Sequence, residues 1–249
     1  MKFLVDSMRN FHYDFVKRKY PTINEKFGEF WHNGYAIKPN FLDRETCDHL
    51  NKISNDLPLI QYTDLRSAET RLSRYMISII TNTEYYWAFP NSIFDNYKYY
   101  NIFPLNDDDV FKKIYAAGAL FAEEAAGTYH KLQTSELYRT LKSNRTKHLN
   151  ANMHLDDDFK KSVRVLIYLT DVSPETGGEL IINSNNKMHH LYGPRGTAIC
   201  FAPSLFHHAG AEPKKERLCL NLKYCPTLFR NPSHRSIRYL NGMSRIISL

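Results

Sequence analysis

Apolar and polar positions along the chain follow two rhythms, and the change between them falls near residue 145. Before it, helical spacing dominates. Phe3, Leu4, Met8, Phe11, Phe15 and Val16 fall on one face of a helix over 3–19. Residues 34–42 (GYAIKPNFL) read as a short strand and a turn. Asp43 then has the chemistry of a helix N-cap, with Glu45 in the first turn and Cys47, Leu50 and Ile53 forming an apolar stripe. The acidic run Asp107–Asp109 opens a helical stretch from about Val110 to Leu132, where carboxylates suit the positive end of the helix dipole. Between these helices, residues 84–104 are crowded with aromatics, and Pro90 and Pro104 interrupt any long element.

After residue 145 the rhythm shortens. Residues 162–169 (SVRVLIYL), 179–182 (ELII), 196–201 (GTAICF) and 217–224 (RLCLNLKY) are short, apolar and β-branched or alternating. Turn formers at 171–178 and at Gly193-Pro194 separate them. Such strands predict an antiparallel sandwich or barrel, with the preceding helices packed on one face of a sheet. The predicted class is α+β with a mainly β core. No repeat or low-complexity linker divides the chain. It is expected to be a single domain over 1–249, mostly helical in 1–145, β in 146–228, and ending in a basic tail over 229–249.

Composition narrows the picture. The 249 residues suffice for one sizeable core, and 43% apolar with 24% charged residues is ordinary for a globular chain. No stretch reaches the roughly 18 uninterrupted apolar residues of a membrane helix. Met1–Asp6 meets a charge too early for a secretory signal, so a cytoplasmic location is expected. Cys47, Cys200, Cys219 and Cys225 contain no Cys-x-x-Cys pair and read as small buried side chains rather than as a zinc site or disulfide framework. Net charge is +7, with Arg230, Arg235, Arg238 and Arg245 near the end. A solvated tail explains this, so nucleic acid is not the expected partner.

The candidate chemistry lies just before the first core strand, in Asn152-Met153-His154-Leu155-Asp156. In an extended segment, residues two apart point to one side, so His154 and Asp156 present an imidazole and a carboxylate together. A second histidine from a later strand completes two histidines and one carboxylate, the set that binds iron(II) and leaves positions open for a co-substrate and dioxygen. His207 and His208 are the candidates, and because neighbours in a strand face opposite ways, only one of them serves. Arg217 opens the last strand, ten residues after His207 and nine after His208. A buried guanidinium there suits the carboxylate of an acidic co-substrate.

This layout resembles the iron(II)- and 2-oxoglutarate-dependent dioxygenases, and within them the phytanoyl-CoA dioxygenase-type group. The resemblance is carried by residues 30–37 (FWHNGYAI), 40–43 (NFLD), 163–172 (VRVLIYLTDV) and 177–180 (GGEL), as well as by the His-x-Asp, His and Arg order. It implies a double-stranded β-helix (jelly-roll, cupin-like) core with the N-terminal helices packed on its major sheet. It also implies iron(II), 2-oxoglutarate and O2. His154, Asp156 and His207 would bind the metal, His207 being preferred for its ten-residue step to Arg217. A His-Ala-Gly triplet in prolyl-hydroxylase-like relatives argues for His208 instead. Arg217 would hold the distal carboxylate of 2-oxoglutarate. Relatives often place a hydroxyl two residues after that Arg, where this chain has Cys219, a poor donor. Tyr168 or Asn152 is the expected substitute. The segment at 183–188 also departs from a Gly-Ser-His element common in relatives.

The implied reaction decarboxylates 2-oxoglutarate to succinate and carbon dioxide while oxidising a substrate C–H bond. A carboxylate at Asp156, where halogenating relatives have a small residue, points to hydroxylation or a related oxidation. A small-molecule substrate is expected. Trp87 in the aromatic stretch is a candidate wall residue, with core filling as the competing reading. Arg66, Arg71 and Arg74 are candidates to hold an anionic substrate, against plain surface charge. The other readings are a cupin-like metalloenzyme that does not use 2-oxoglutarate, a non-catalytic jelly-roll binding module, and an oxygenase of this fold that modifies protein or nucleic acid.

Overall fold

The computed structural model of the chain describes residues 28–57, 97–100, 105, 108–142, 152–156, 161–226, 239–240 and 243–244, with positions 7 and 11. Most of the expected helix over 3–19, of the aromatic stretch and of the basic tail lies outside these residues, as do Arg66, Arg71, Arg74 and Trp87.

The elements run β1 (Tyr35–Lys38), α1 (Arg44–Ser54), β2 (Tyr97–Tyr100), α2 (Asp109–Ala126), β3 (His130–Thr140), β4 (Val163–Tyr168), β5 (Leu180–Ser184), β6 (Lys187–Leu191), β7 (Ala198–Phe201), β8 (His207–Gly210) and β9 (Arg217–Pro226). A short ribbon pairs Tyr239–Leu240 with Met243–Ser244. Six strands form a large sheet in the order β1-β7-β4-β9-β3-β2, and three form a small one in the order β6-β5-β8. All strand pairs among the described residues are antiparallel.

The large sheet has two different faces, and period-two alternation sorts them. Val163, Val165 and Ile167 of β4 and Leu218, Leu220, Leu222 and Tyr224 of β9 join the core beneath α2. Leu166 and Tyr168 of β4 and Cys219 of β9 point the other way and join a second core with Leu180, Ile182 and Leu191 of the small sheet. The helices therefore cover one face of the large sheet, and the small sheet covers the other.

Local chemistry explains where the helices begin and stop. Asp43 accepts from Thr46 N at 2.7 Å and caps α1 as expected. Asp108 accepts from Val110 N at 2.8 Å and Phe111 N at 3.3 Å and caps α2. Contrary to the expected extent, α2 ends at Ala126, because Gly127 adopts φ 75° and closes it with a left-handed C-cap. The residues beyond it become β3, the longest strand among the described residues.

Gly118 lets α2 lie close on the sheet. A Cβ there would stand 2.3 Å from the Tyr224 hydroxyl, which is buried and donates to Tyr115 O at 2.8 Å.

Candidate metal centre

Three side chains meet at the mouth between the sheets. His154 forms a one-residue antiparallel bridge with His208 of β8: His154 N donates to His208 O at 3.0 Å and His208 N to His154 O at 2.9 Å. Directly paired residues share a face, so the imidazoles lie side by side with centroids 4.4 Å apart. Asp156, two residues on, follows His154 onto that face. Its backbone N–H donates to Pro203 O at 3.0 Å, which fixes the segment.

The ligand atoms of His154, Asp156 and His208 all lie within 4.8 Å of one another. Asp156 Oδ1 is 3.6 Å from His154 Nε2 and 3.8 Å from His208 Nε2. Nitrogen and oxygen ligands bind transition metals at about 2.0–2.2 Å, so these gaps span one ion. The second nitrogen of each ring is already committed. His154 Nδ1 donates to Asn152 O at 2.8 Å and His208 Nδ1 to Phe206 O at 3.3 Å, which fixes the tautomer that leaves both Nε2 lone pairs facing Asp156. Burial pushes the His208 imidazole down to about 4, against the opposing pull of Asp156. It is therefore neutral near pH 7, as a ligand must be. The donor set fits a divalent transition metal such as iron(II).

His207, preferred from its spacing to Arg217, is not brought to this cluster; the alternative, His208, is. His207 pairs with Asn183 on the outward face of β8 and is exposed, whereas His208 is 7% exposed and turned inward. The bridge to His154 selects the register, and a one-residue step along a strand reverses the face.

The cluster opens onto a cavity of about 240 Å³. Arg217, 4% exposed, lines it from the start of β9. Its Nη1 donates to Gly178 O and its Nη2 to Thr140 Oγ1 at 3.3 Å, and the guanidinium lies 5.8 Å from the Tyr138 ring centroid. Glu136 and Tyr138 of β3, Arg164 and Leu166 of β4, Phe201 of β7 and Asn221 of β9 complete much of the wall.

The structure does not bring the two expected substitutes for the missing hydroxyl to this wall. Tyr168 is fully buried beneath it, with its hydroxyl donating to Leu191 O at 2.8 Å and accepting from Leu180 N at 2.9 Å. Asn152 is exposed and serves His154 through its backbone carbonyl alone. The Tyr138 ring and the Thr140 hydroxyl lie beside Arg217, and sequence reasoning missed both together with β3. Arg164 and Asn221 left a clearer signal, as isolated polar residues inside otherwise apolar strand runs.

No family model matches the chain, and no curated protein matches it in sequence. Its fold is that of non-haem 2-oxoglutarate-dependent enzymes among solved structures. It is similar to SnoN, the non-haem α-ketoglutarate-dependent epimerase of nogalamycin biosynthesis, with TM-score 0.54 and 15% identity over 85% of this chain and 86% of that one. HygX from Streptomyces hygroscopicus, solved with nickel, 2-oxoglutarate and hygromycin B, gives TM-score 0.53 and 13% identity over 88% and 97%. A Pseudomonas putida prolyl-4-hydroxylase gives TM-score 0.53 and 15% identity over 83% and 100%.

Proposed function

We propose that the chain is an iron(II)- and 2-oxoglutarate-dependent oxygenase that hydroxylates a C–H bond of a small molecule. The observation that carries this reading is the convergence of His154 Nε2, His208 Nε2 and Asp156 Oδ1 in one cavity with the buried Arg217. The similar SnoN and HygX structures, solved with iron or nickel and with 2-oxoglutarate, support it. The facing sheets with helices on one side fit a double-stranded β-helix in a single domain. Residues 30–43 and 163–180 are the sequence support for placing it in the phytanoyl-CoA dioxygenase-type group.

When bound, iron and 2-oxoglutarate supply the oxidising chemistry, with succinate and carbon dioxide as by-products. The protein's share is holding and orienting. His154, Asp156 and His208 would hold the metal at the edge of the cavity. Arg217 holds the distal carboxylate of 2-oxoglutarate through its planar donors. Tyr138 lines the cavity beside it and would supply the hydroxyl donor that compensates for Cys219. Phe201 and Leu166 give the floor an apolar surface. A small substrate is favoured by the ligands of two similar structures, which carry a nogalamycin compound and hygromycin B.

Succinate release over a metabolite panel, with iron(II), 2-oxoglutarate and ascorbate, tests the reading. Removing one partner of a buried charge pair costs about 2–5 kcal/mol. Arg217→Ala is therefore expected to raise the 2-oxoglutarate requirement at least about 30-fold. An unchanged 2-oxoglutarate requirement in that variant would remove Arg217 from the co-substrate site, and turnover that needs no 2-oxoglutarate would favour a cupin-like metalloenzyme.

A further inference from the structure

The two oxygens of Asp156 are in different situations. Oδ1 faces both imidazoles. Oδ2 pairs with Arg164 Nη2 at 2.9 Å. Arg164 Nη1 lies 3.8 Å from Glu136 Oε2, and Asn221 Nδ2 donates to that same oxygen at 3.0 Å. A chain of polar contacts thus crosses three neighbouring strands, from Asn221 on β9 to Glu136 on β3 to Arg164 on β4, and ends on Asp156.

Strand register builds this chain. Asn221 sits directly opposite Glu136 on one side and Leu166 on the other, and Arg164 shares the face of Leu166 two residues earlier. Arg164 is the one charged residue in β4, and its side chain is only 19% exposed. A guanidinium so placed is tolerated only when well paired. A packing role alone would be met by an aliphatic residue like its neighbours Val163, Val165 and Leu166.

We infer that Arg164, backed by Glu136 and Asn221, is a positioning residue that restricts Asp156 to ligating the metal through one oxygen. This rests on the three-ligand reading above. A carboxylate with both oxygens available can bind a cation through both. One whose second oxygen is held by a guanidinium presents the first alone. The count of open positions then follows. A six-coordinate ion held by two imidazoles and one carboxylate oxygen would keep three positions for exchangeable ligands, and one held by both carboxylate oxygens would keep two.

The test compares the full chain with Arg164→Met and Arg164→Lys under anaerobic conditions, using ferrous iron and then 2-oxoglutarate as probes. Iron affinity is read by titration, and the number of oxygen neighbours of the iron by X-ray absorption. The visible charge-transfer band of the iron–2-oxoglutarate complex is then followed on mixing with O2. Arg164→Met is expected to gain one oxygen neighbour and slow the decay of the band at least ten-fold, with iron affinity reduced by no more than the about 10–100-fold that losing an outer partner of a ligand costs. Arg164→Lys, with a single point-like donor group, is expected to fall between the two. If Arg164→Met does not fold, Glu136→Gln and Asn221→Ala keep the guanidinium and loosen its backing, and a two- to five-fold slowing is expected. Wild-type decay with an unchanged neighbour count in every folded variant would overturn the inference. So would a complete loss of iron binding in a folded Arg164→Met, which would make Arg164 a holder of the site rather than of one carboxylate oxygen. An absence of iron binding by the unaltered chain would instead remove the three-ligand reading itself.

Discussion

A histidine's environment decides what it does in this protein, and three of them show the range. His154 and His208 each donate Nδ1 to a carbonyl two residues back and present Nε2 to Asp156. His130, 2% exposed, is enclosed in the core with Nδ1 on Thr128 O at 2.7 Å, and burial lowers its pKa to about 4. The folded His130 therefore stays neutral where the unfolded chain, titrating near 6.5, takes up a proton. In that window the unfolded state binds more protons, so stability contributed by His130 is complete above pH 6.5 and is lost as pH falls towards 4. The full gap of about 2.5 units corresponds to about 3 kcal/mol. His130→Gln is expected to show a shallower fall in melting temperature between pH 6.5 and 4 than the unaltered protein; parallel curves would contradict this. At the same scale, the i, i+2 pairing of His154 with Asp156 was legible because it depends only on an extended backbone. The choice between His207 and His208 was not. It depends on which residue of β8 bridges to His154, a long-range pairing that spacing to Arg217 does not encode.

At the scale of the element, apolar alternation located β4, β5, β7 and β9, because each has at least one fully packed face. It failed for β3, and the reason is visible in Leu132 and Leu137. Both point into the core beneath α2 although they are five residues apart, which strict alternation forbids. A register shift between Leu132 and Thr134 resets the phase. Glu136 and Tyr138, which flank Leu137, point the other way into the cavity, and Ser135 lies against Tyr115 of α2. The turn before β6 was also obscure: Asn185 and Asn186 both adopt positive φ (53° and 59°), the signature of a two-residue hairpin. For α2, helix propensity favours Gly118→Ala by up to about 1 kcal/mol, but the added Cβ meets the Tyr224 hydroxyl. Overpacking costs typically about 1–3 kcal/mol, so the variant is expected to be less stable in urea. Adding Tyr224→Phe should make the alanine markedly less costly than it is beside Tyr224. Equal costs in the two backgrounds, read as a double-mutant cycle, would show that the clash is not the cause.

At the scale of the whole molecule, the two sheets divide labour. The large sheet carries the helices on one face and Arg164, Arg217, Glu136, Tyr138 and Asn221 on the other. The small sheet closes the cavity and brings His208 to it. Arg139 reinforces the helical side. It points opposite to Tyr138 and joins β3 to the end of α1 through Asn51, Ser54 and Asn55 at 2.8–3.2 Å, with Glu216 as its counter-charge. All four cysteines are buried thiols, as their spacing implied. No helix among the described residues is long and apolar enough to cross a membrane. The central claim is that His154, Asp156 and His208 form one metal site beside Arg217. Anaerobic titration with ferrous iron of the unaltered chain, His207→Ala and His208→Ala tests it most directly. One iron per chain is expected for the first two, with affinity reduced at least about ten-fold in His208→Ala, the scale of losing even a supporting partner of a metal ligand. Iron binding that survives His208→Ala and is lost in His207→Ala would contradict it.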